Sequence, residues 1–146
     1  MTLEVQLHLL SLYYVRHLLV GQIQYLKITG DGSGTYWGFY VTTQSSLWAN
    51  DIIIDGFGGY GLMVQDASFA IVGGDSVIQN TGREGLYVQE NSTFINHNGT
   101  LTITGVQNEG IQTYLGGVVN LANVNISNNT GSGIASYYGG ASAING

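Results

Sequence analysis

The stretch 58–94, GGYGLMVQDASFAIVGGDSVIQNTGREGLYVQENSTF, says one short phrase twice: Gly61-Leu62-Met63-Val64 returns as Gly85-Leu86-Tyr87-Val88. Working outward from it, equivalent glycines stand at Gly38, Gly61, Gly85, Gly110 and Gly133, at intervals of 23, 24, 25 and 23 residues. An isoleucine precedes four of them by seven positions, at Ile54, Ile78, Ile103 and Ile126. Two columns in one register define a repeat of about two dozen residues, a length at which supersecondary units stack into solenoids. A further turn precedes Gly38, because Leu26-Lys27-Ile28-Thr29-Gly30 parallels Leu101-Thr102-Ile103-Thr104-Gly105, with three extra residues inserted.

Each repeat alternates with period two, the signature of strands with one buried face. The first and third positions after each anchor glycine are Phe39 and Val41, Leu62 and Val64, Leu86 and Val88, Ile111 and Thr113, and Ile134 and Ser136, and these are expected to point inward. A second apolar patch follows (Leu47; Phe69 and Ile71; Phe94; Val119 and Leu121; Ala141 and Ala143), and a third surrounds the isoleucine column. Turn sequences such as Gly73-Gly74-Asp75, Asn98-Gly99 and Asn128-Asn129-Thr130-Gly131 separate them, and Gly and Asn accept positive φ at low cost. The pattern predicts an all-β fold, a parallel β-helix of about 24 residues per coil with three short strands in each. On this reading the anchor glycines are corner residues.

Composition agrees. The 146 residues are 44% hydrophobic and only 8% charged, with 23 glycines, a mixture suited to stacked strands with frequent turns and unlike that of a disordered chain. Nine acidic against three basic residues give a net charge of −6, without the basic cluster that nucleic acid or an anionic membrane requires. With no cysteine there is neither a disulfide framework nor a zinc-thiolate site. The opening MTLEVQLHLLSLYYVRHLLVG is apolar, but Glu4 precedes the apolar run and Arg16 and His17 interrupt it, so neither a signal peptide nor a membrane span is expected. Leu3, Val5, Leu7 and Leu9 alternate with polar residues as in a strand. Residues 1–22 are accordingly read as an N-terminal strand and capping segment, and residues 23–146 as the repeat domain. Because 143–146 fall in mid-coil without a polar cap, that domain is expected to continue or to stack on another subunit.

The segments IQYLKITGDGSGTYWGFYV, IQNTGREGLYV and ISNNTGSGIASYYGGASAI resemble the right-handed parallel β-helices of the pectin-lyase-like superfamily, and most of all their phage tail-fibre and tailspike members. The resemblance runs from about Ile23 to the end and implies a right-handed coil. It leaves activity open, since the superfamily includes polysaccharide lyases, glycosidases, adhesins and structural shafts.

Superfamily enzymes place carboxylates, or a proton-abstracting arginine, in a substrate groove. Glu84 and Glu109 each precede an anchor glycine in successive coils, which sets them about 5 Å apart, the strand spacing, with Arg83 beside the first. These three are the candidate catalytic residues; a pair of solvated corner acids is the competing reading. Asp66 and Glu90 also align, but the six to eight oxygen ligands usual for calcium are not evident, and no metal or other cofactor is expected. Asp51 and Asp75 share a column that suits turn chemistry. GDGSGT at 30–35 lacks the following helix of a phosphate cradle.

Positions two and four after each anchor face outward and are rich in tyrosine and glutamine. Tyr40, Gln65, Tyr87, Gln89, Tyr114 and Tyr137 are the candidate contacts to a glycan or to another subunit, because tyrosine combines a flat apolar face with a polar tip and glutamine both donates and accepts. The sequence therefore leads to the expectation of a structural and recognition module in an oligomeric fibre, a trimer or stacked subunits. A phage tail fibre or tailspike segment touching host surface polysaccharide is the leading form, located in a virion tail or outside the cell. A polysaccharide lyase or glycosidase is the alternative, and a self-assembling extracellular filament subunit the second. Neither nucleic acid nor membrane insertion enters this expectation.

Overall fold

The computed structural model describes residues 3–6, 14–15 and 22–145. These form eighteen strands and no helix, so among the described residues no helix is long and apolar enough to cross a membrane. Every third strand belongs to the same sheet, and all neighbours run parallel. Sheet A contains β1 (Leu3–Gln6), β4 (Leu26–Thr29), β7 (Ile53–Asp55), β10 (Ser76–Gln79), β13 (Leu101–Thr104) and β16 (Val124–Ser127). Sheet B contains β2 (Tyr14–Val15), β5 (Phe39–Val41), β8 (Leu62–Val64), β11 (Leu86–Gln89), β14 (Ile111–Tyr114) and β17 (Ile134–Ser136). Sheet C contains β3 (Gln22–Gln24), β6 (Ser46–Asn50), β9 (Phe69–Gly73), β12 (Thr93–Asn96), β15 (Val118–Leu121) and β18 (Ala141–Ile144). The fold is a parallel β-solenoid with three strands per coil and about 24 residues per turn, as the repeat predicts.

Parallel sheets need cover on both faces or one dry interior, and here the three inner faces cover one another. The isoleucine column becomes a continuous ladder: Ile28 pairs with Ile54, Ile54 with Ile78, Ile78 with Ile103, and Ile103 with Ile126. The first four are buried to 1% exposure or less. Leu62, Leu86 and Ile111 of sheet B and Phe94, Val119 and Leu121 of sheet C close the same core. Burying each such side chain contributes about 1.5–3 kcal/mol, so stacking rather than any single coil supplies the stability.

Each anchor glycine sits at a bend just before its sheet B strand, as expected of a corner, but not for the sake of a left-handed backbone. None has positive φ. Their absent side chain makes room for the next coil: a Cβ at Gly61 would lie 2.2 Å from Ile78 Cγ2 and 2.6 Å from the Gly85 carbonyl oxygen. Gly38, Gly85 and Gly110 meet Ile54, Ile103 and Ile126 in the same way, at 2.3, 2.5 and 2.5 Å. The glycine and isoleucine columns seen in the sequence thus meet across the coil boundary, each of these glycines against the isoleucine of the following coil.

The corners between sheets B and C use left-handed residue pairs instead: Thr43-Gln44, Asp66-Ala67, Glu90-Asn91, Leu115-Gly116 and Tyr138-Gly139. A buried serine follows in three of them, and it links coils, since the Ser45 N–H donates to Ser68 Oγ at 3.1 Å and the Ser68 N–H to Ser92 Oγ at 3.0 Å. The period-two count from the anchor glycine carries through these corners, since the inward Leu62 and Val64 are followed by Ala70 and Val72. Ala70 and Val72 enter the core, while Phe69 and Ile71 of the second apolar patch lie half-buried on the outer face with the exposed Trp48. In the last coil it is Ser142 and Ile144, not Ala141 and Ala143, that share the core register of Val119 and Leu121.

Strand β1 pairs with β4, β2 with β5 and β3 with β6, all in parallel. The expected strand therefore has a counterpart at Leu3–Gln6, whereas residues 7–13 and 16–21 lie outside the described ones. GDGSGT lies in the loop that connects β4 to β5. The glycine slot gives a direct test. Gly61→Ala should lower the stability measured by urea unfolding by about 1–3 kcal/mol, the cost of overpacking a filled core. Gly133→Ala, at a position whose only near neighbour is Ile126 Cγ2 at 3.8 Å, should stay within about 0.5 kcal/mol of the parent.

Candidate functional site

Sheet B carries the tyrosine and glutamine residues, and its parallel register brings them into rows. Tyr40 pairs with Met63, Met63 with Tyr87, and Tyr87 with Gln112. One step along, Gln89 pairs with Tyr114 and donates from Nε2 to Gln65 Oε1 at 2.8 Å. The row continues to the corner, where the Thr42 hydroxyl donates to Asp66 Oδ2 and Gln65 Nε2 reaches the same oxygen at 3.2 Å.

The outer face is more closely packed than exposed strand residues would suggest. Tyr60, Met63 and Tyr87 are buried to 9% exposure or less, and Trp37, Tyr40 and Tyr114 lie half-buried against them. Rings are stacked in pairs, Trp37 on Tyr40 with centroids 5.2 Å apart and Tyr60 on Tyr87 at 4.9 Å, while Tyr114 meets Tyr138 edge-on at 5.0 Å. Tyr137 is more open, 44% exposed, and Tyr138 beside it reaches 73%. The site thus offers stacked aromatic edges over most of its length and open rings at one end.

Trp37, Tyr60 and Met63 complete the cluster although the sequence reading did not place the first two with the outer tyrosines. The signal was present: the residue before each anchor glycine and the second residue after it lie side by side across the glycine, where no side chain separates them.

Glu84 and Glu109 fall in neighbouring coils, the Gly85 N–H donating to the Glu109 carbonyl oxygen at 3.3 Å. Their side chains differ in setting. Glu84 is buried, 3% exposed, and its Oε1 accepts from Asn108 Nδ2 at 2.8 Å; Glu109 is half-buried. Glu84 Oε2 lies 3.6 Å from Arg83 Nε and, among the described residues, has no hydrogen-bond donor. Trp37 Nε1 is the other buried polar side-chain atom in that condition. Arg83 is half-exposed and lays its guanidinium over the Tyr60 ring, 4.6 Å from the centroid, a cation–π contact. The structure thus joins Arg83 and Glu84 to the aromatic cluster.

Asp66 and Glu90 sit at the other end of the strands and share a hydrogen bond. The Thr42 hydroxyl, with smaller contributions from Glu90 and Gln65, lowers the Asp66 pKa. Its hydrogen bond to Asp66, with some desolvation and the nearby negative charge, raises that of Glu90. Asp51 and Asp75 serve the turns, each accepting from the backbone of the next coil, Asp75 N–H to Asp51 Oδ1 and Thr100 N–H to Asp75 Oδ1, both at 3.0 Å. Among the described residues, no three His, Cys, Asp or Glu side chains gather to hold a metal ion.

No family model, curated protein or solved structure matches the chain. The class that the fold defines is a parallel β-solenoid.

Burial holds the clustered phenols neutral. Desolvation, then the charge of Glu84, raises the Tyr60 pKa, with Arg83 opposing. Desolvation with neighbouring Tyr60 and Glu84 pushes that of Tyr87 up to about 12. A phenolate absorbance titration should therefore show a late component near pH 12 that Tyr87→Phe removes. Because the unfolded chain loses the same proton near pH 10, this group's contribution is fully present below about pH 10 and is lost as pH rises towards 12. Asn108→Ala should cost about 1.5–3 kcal/mol in unfolding experiments, since it strips the buried Glu84 of its one hydrogen bond to a charged group.

Proposed function

We propose that this chain is a structural and recognition segment of an oligomeric fibre, of the tail-fibre or tailspike kind within the pectin-lyase-like superfamily, and that sheet B is the face that touches surface polysaccharide. The observation that carries the reading is the aromatic and amide row along sheet B, from Tyr40 through Tyr87 and Gln89 to Tyr114 and Tyr137. Successive coils repeat it at the strand spacing of about 4.8 Å, so an extended polymer lying along the solenoid meets the same chemistry several times. Repeated weak contacts on a rigid surface favour recognition, because little side-chain entropy remains to be lost. A location in a virion tail or outside the cell follows from this role.

Cleavage is the lesser reading. One oxygen of Glu84 is held by Asn108 and the other lies 3.6 Å from Arg83, so the buried acid meets a scissile bond only once the Arg83 side chain has moved aside. A general acid or base must reach its substrate atom within hydrogen-bond distance. If Glu84, Glu109 and Arg83 do form a catalytic set, a Glu84→Gln, Glu109→Gln double variant abolishes depolymerisation of a bound polysaccharide.

The binding reading is tested by intrinsic fluorescence titration with purified bacterial surface polysaccharides. Tyr114→Ala combined with Tyr137→Ala should weaken a binding polymer by about tenfold, equivalent to roughly 1.4 kcal/mol, while sedimentation shows an unchanged assembly state. A changed assembly state with unchanged polymer affinity would reassign the face to subunit contact.

A further inference from the structure

The charges around sheet B point to the kind of polysaccharide it takes, an inference that rests on the glycan-contact reading above. Strand β11 has Glu84 two residues before its start and Glu90 just after its end, and each has an acidic neighbour in an adjacent coil, Glu109 and Asp66. Four carboxylates therefore bracket the face. With a rise of about 3.3 Å per residue, mid-strand is roughly 10 Å from either pair. That is close to the physiological screening length of about 8 Å, so the potentials of both pairs overlap on the face.

The one cation at this face among the described residues is Arg83, and it is already engaged. Its guanidinium lies 4.6 Å from the Tyr60 centroid and 3.6 Å from Glu84 Oε2. A uronate, sialate or phosphate group would find no uncommitted positive partner here. An ammonium group would find what Arg83 has found: the face of an electron-rich ring beside a carboxylate. Glu84 Oε2 adds an independent pointer, since this buried oxygen lacks any hydrogen-bond donor. An unsatisfied charged acceptor in a low-dielectric setting attracts an N–H strongly. Arg83 is 51% exposed and attached by a flexible stem, so its side chain can swing aside and open that corner.

We propose that sheet B selects polysaccharides bearing free amino groups, with Glu84 and the Tyr60 ring receiving an ammonium in place of Arg83, and that it turns away acidic polysaccharides. Three soluble oligosaccharides of equal length test this by calorimetry in mildly acidic buffer: glucosamine oligomers, their N-acetylated counterparts and oligogalacturonate. Amines are then charged and uronates keep their charge. The amine-bearing oligomer should bind about tenfold or more tightly than the acetylated one, with the advantage shrinking in high salt, and the uronate should bind weakest. Arg83→Ala, which removes the competing cation, should tighten amine binding severalfold. A Glu90→Gln, Glu109→Gln variant, which leaves buried Glu84 intact, should narrow the preference.

Equal or tighter binding of the uronate overturns the inference, and so does weaker amine binding in the Arg83→Ala protein, because either result makes Arg83 an anion contact. Those outcomes leave glycan contact itself standing. Failure of all three classes to bind removes the glycan-contact reading and the selectivity with it.

Discussion

The contact between an anchor glycine and the isoleucine of the following coil is the constraint on which the rest of this structure depends. A methyl group of Ile78 occupies the space that a side chain at position 61 would need, and the same holds at Gly38, Gly85 and Gly110. The contact fixes register in space and not chain length, since its partners are 16, 17, 18 and 16 residues apart (54−38, 78−61, 103−85 and 126−110). Segments between the strands absorb these differences, as they do in the longer connection from β4 to β5. Backbone hydrogen bonds alone do not impose this register, since a parallel ladder accepts a register slip wherever side chains permit one.

Fixed register has a chemical consequence on the outer surface. Like residues fall beside like: isoleucine on isoleucine inside, glutamine on glutamine and tyrosine near tyrosine outside, acid beside acid at the corners. Some of these adjacencies stabilise, as with the Gln65–Gln89 bond and the Tyr60–Tyr87 stack. Others need help. Glu84 receives it from Asn108 and Arg83, and Asp66 receives it from Thr42 and a hydrogen bond shared with Glu90. A surface so built is pre-organised, with most polar side chains already held by neighbours. Rigidity of this sort suits recognition of a repeating polymer better than it suits chemistry on one bond.

Much of the fold was legible because the interlock leaves two residue types in strict columns. The inner positions of sheet B followed from counting in twos away from the anchor glycine, and the same count carried on reaches Ala70 and Val72 in sheet C. Phe69 and Ile71 fall outside that count and lie on the outer face, so the apolar patch marked the strand without marking its inner side. Left-handed conformation at Thr43, Asp66, Glu90 and Leu115 was hidden for a plain reason: none of these is glycine, and coil stacking rather than intrinsic preference holds them there. The serine column at 45, 68 and 92 was overlooked among many small polar residues. At the candidate site, the alignment of Glu84 with Glu109 and of the tyrosine row could be counted, whereas the burial of Glu84, its bond to Asn108 and the position of Arg83 over Tyr60 arise from lateral packing that a one-dimensional repeat does not encode.

The most direct test of the interlock is a double-mutant cycle on Gly61 and Ile78, comparing Gly61→Ala, Ile78→Ala and the double variant by equilibrium unfolding. Removing the isoleucine methyl should make room for the new Cβ, so the double variant should be more stable than the two single losses together imply, by about 1–2 kcal/mol, within the range of coupled neighbours. Strict additivity, within about 0.5 kcal/mol, would mean that the glycine and isoleucine columns are independent and that something other than their contact sets the coil register.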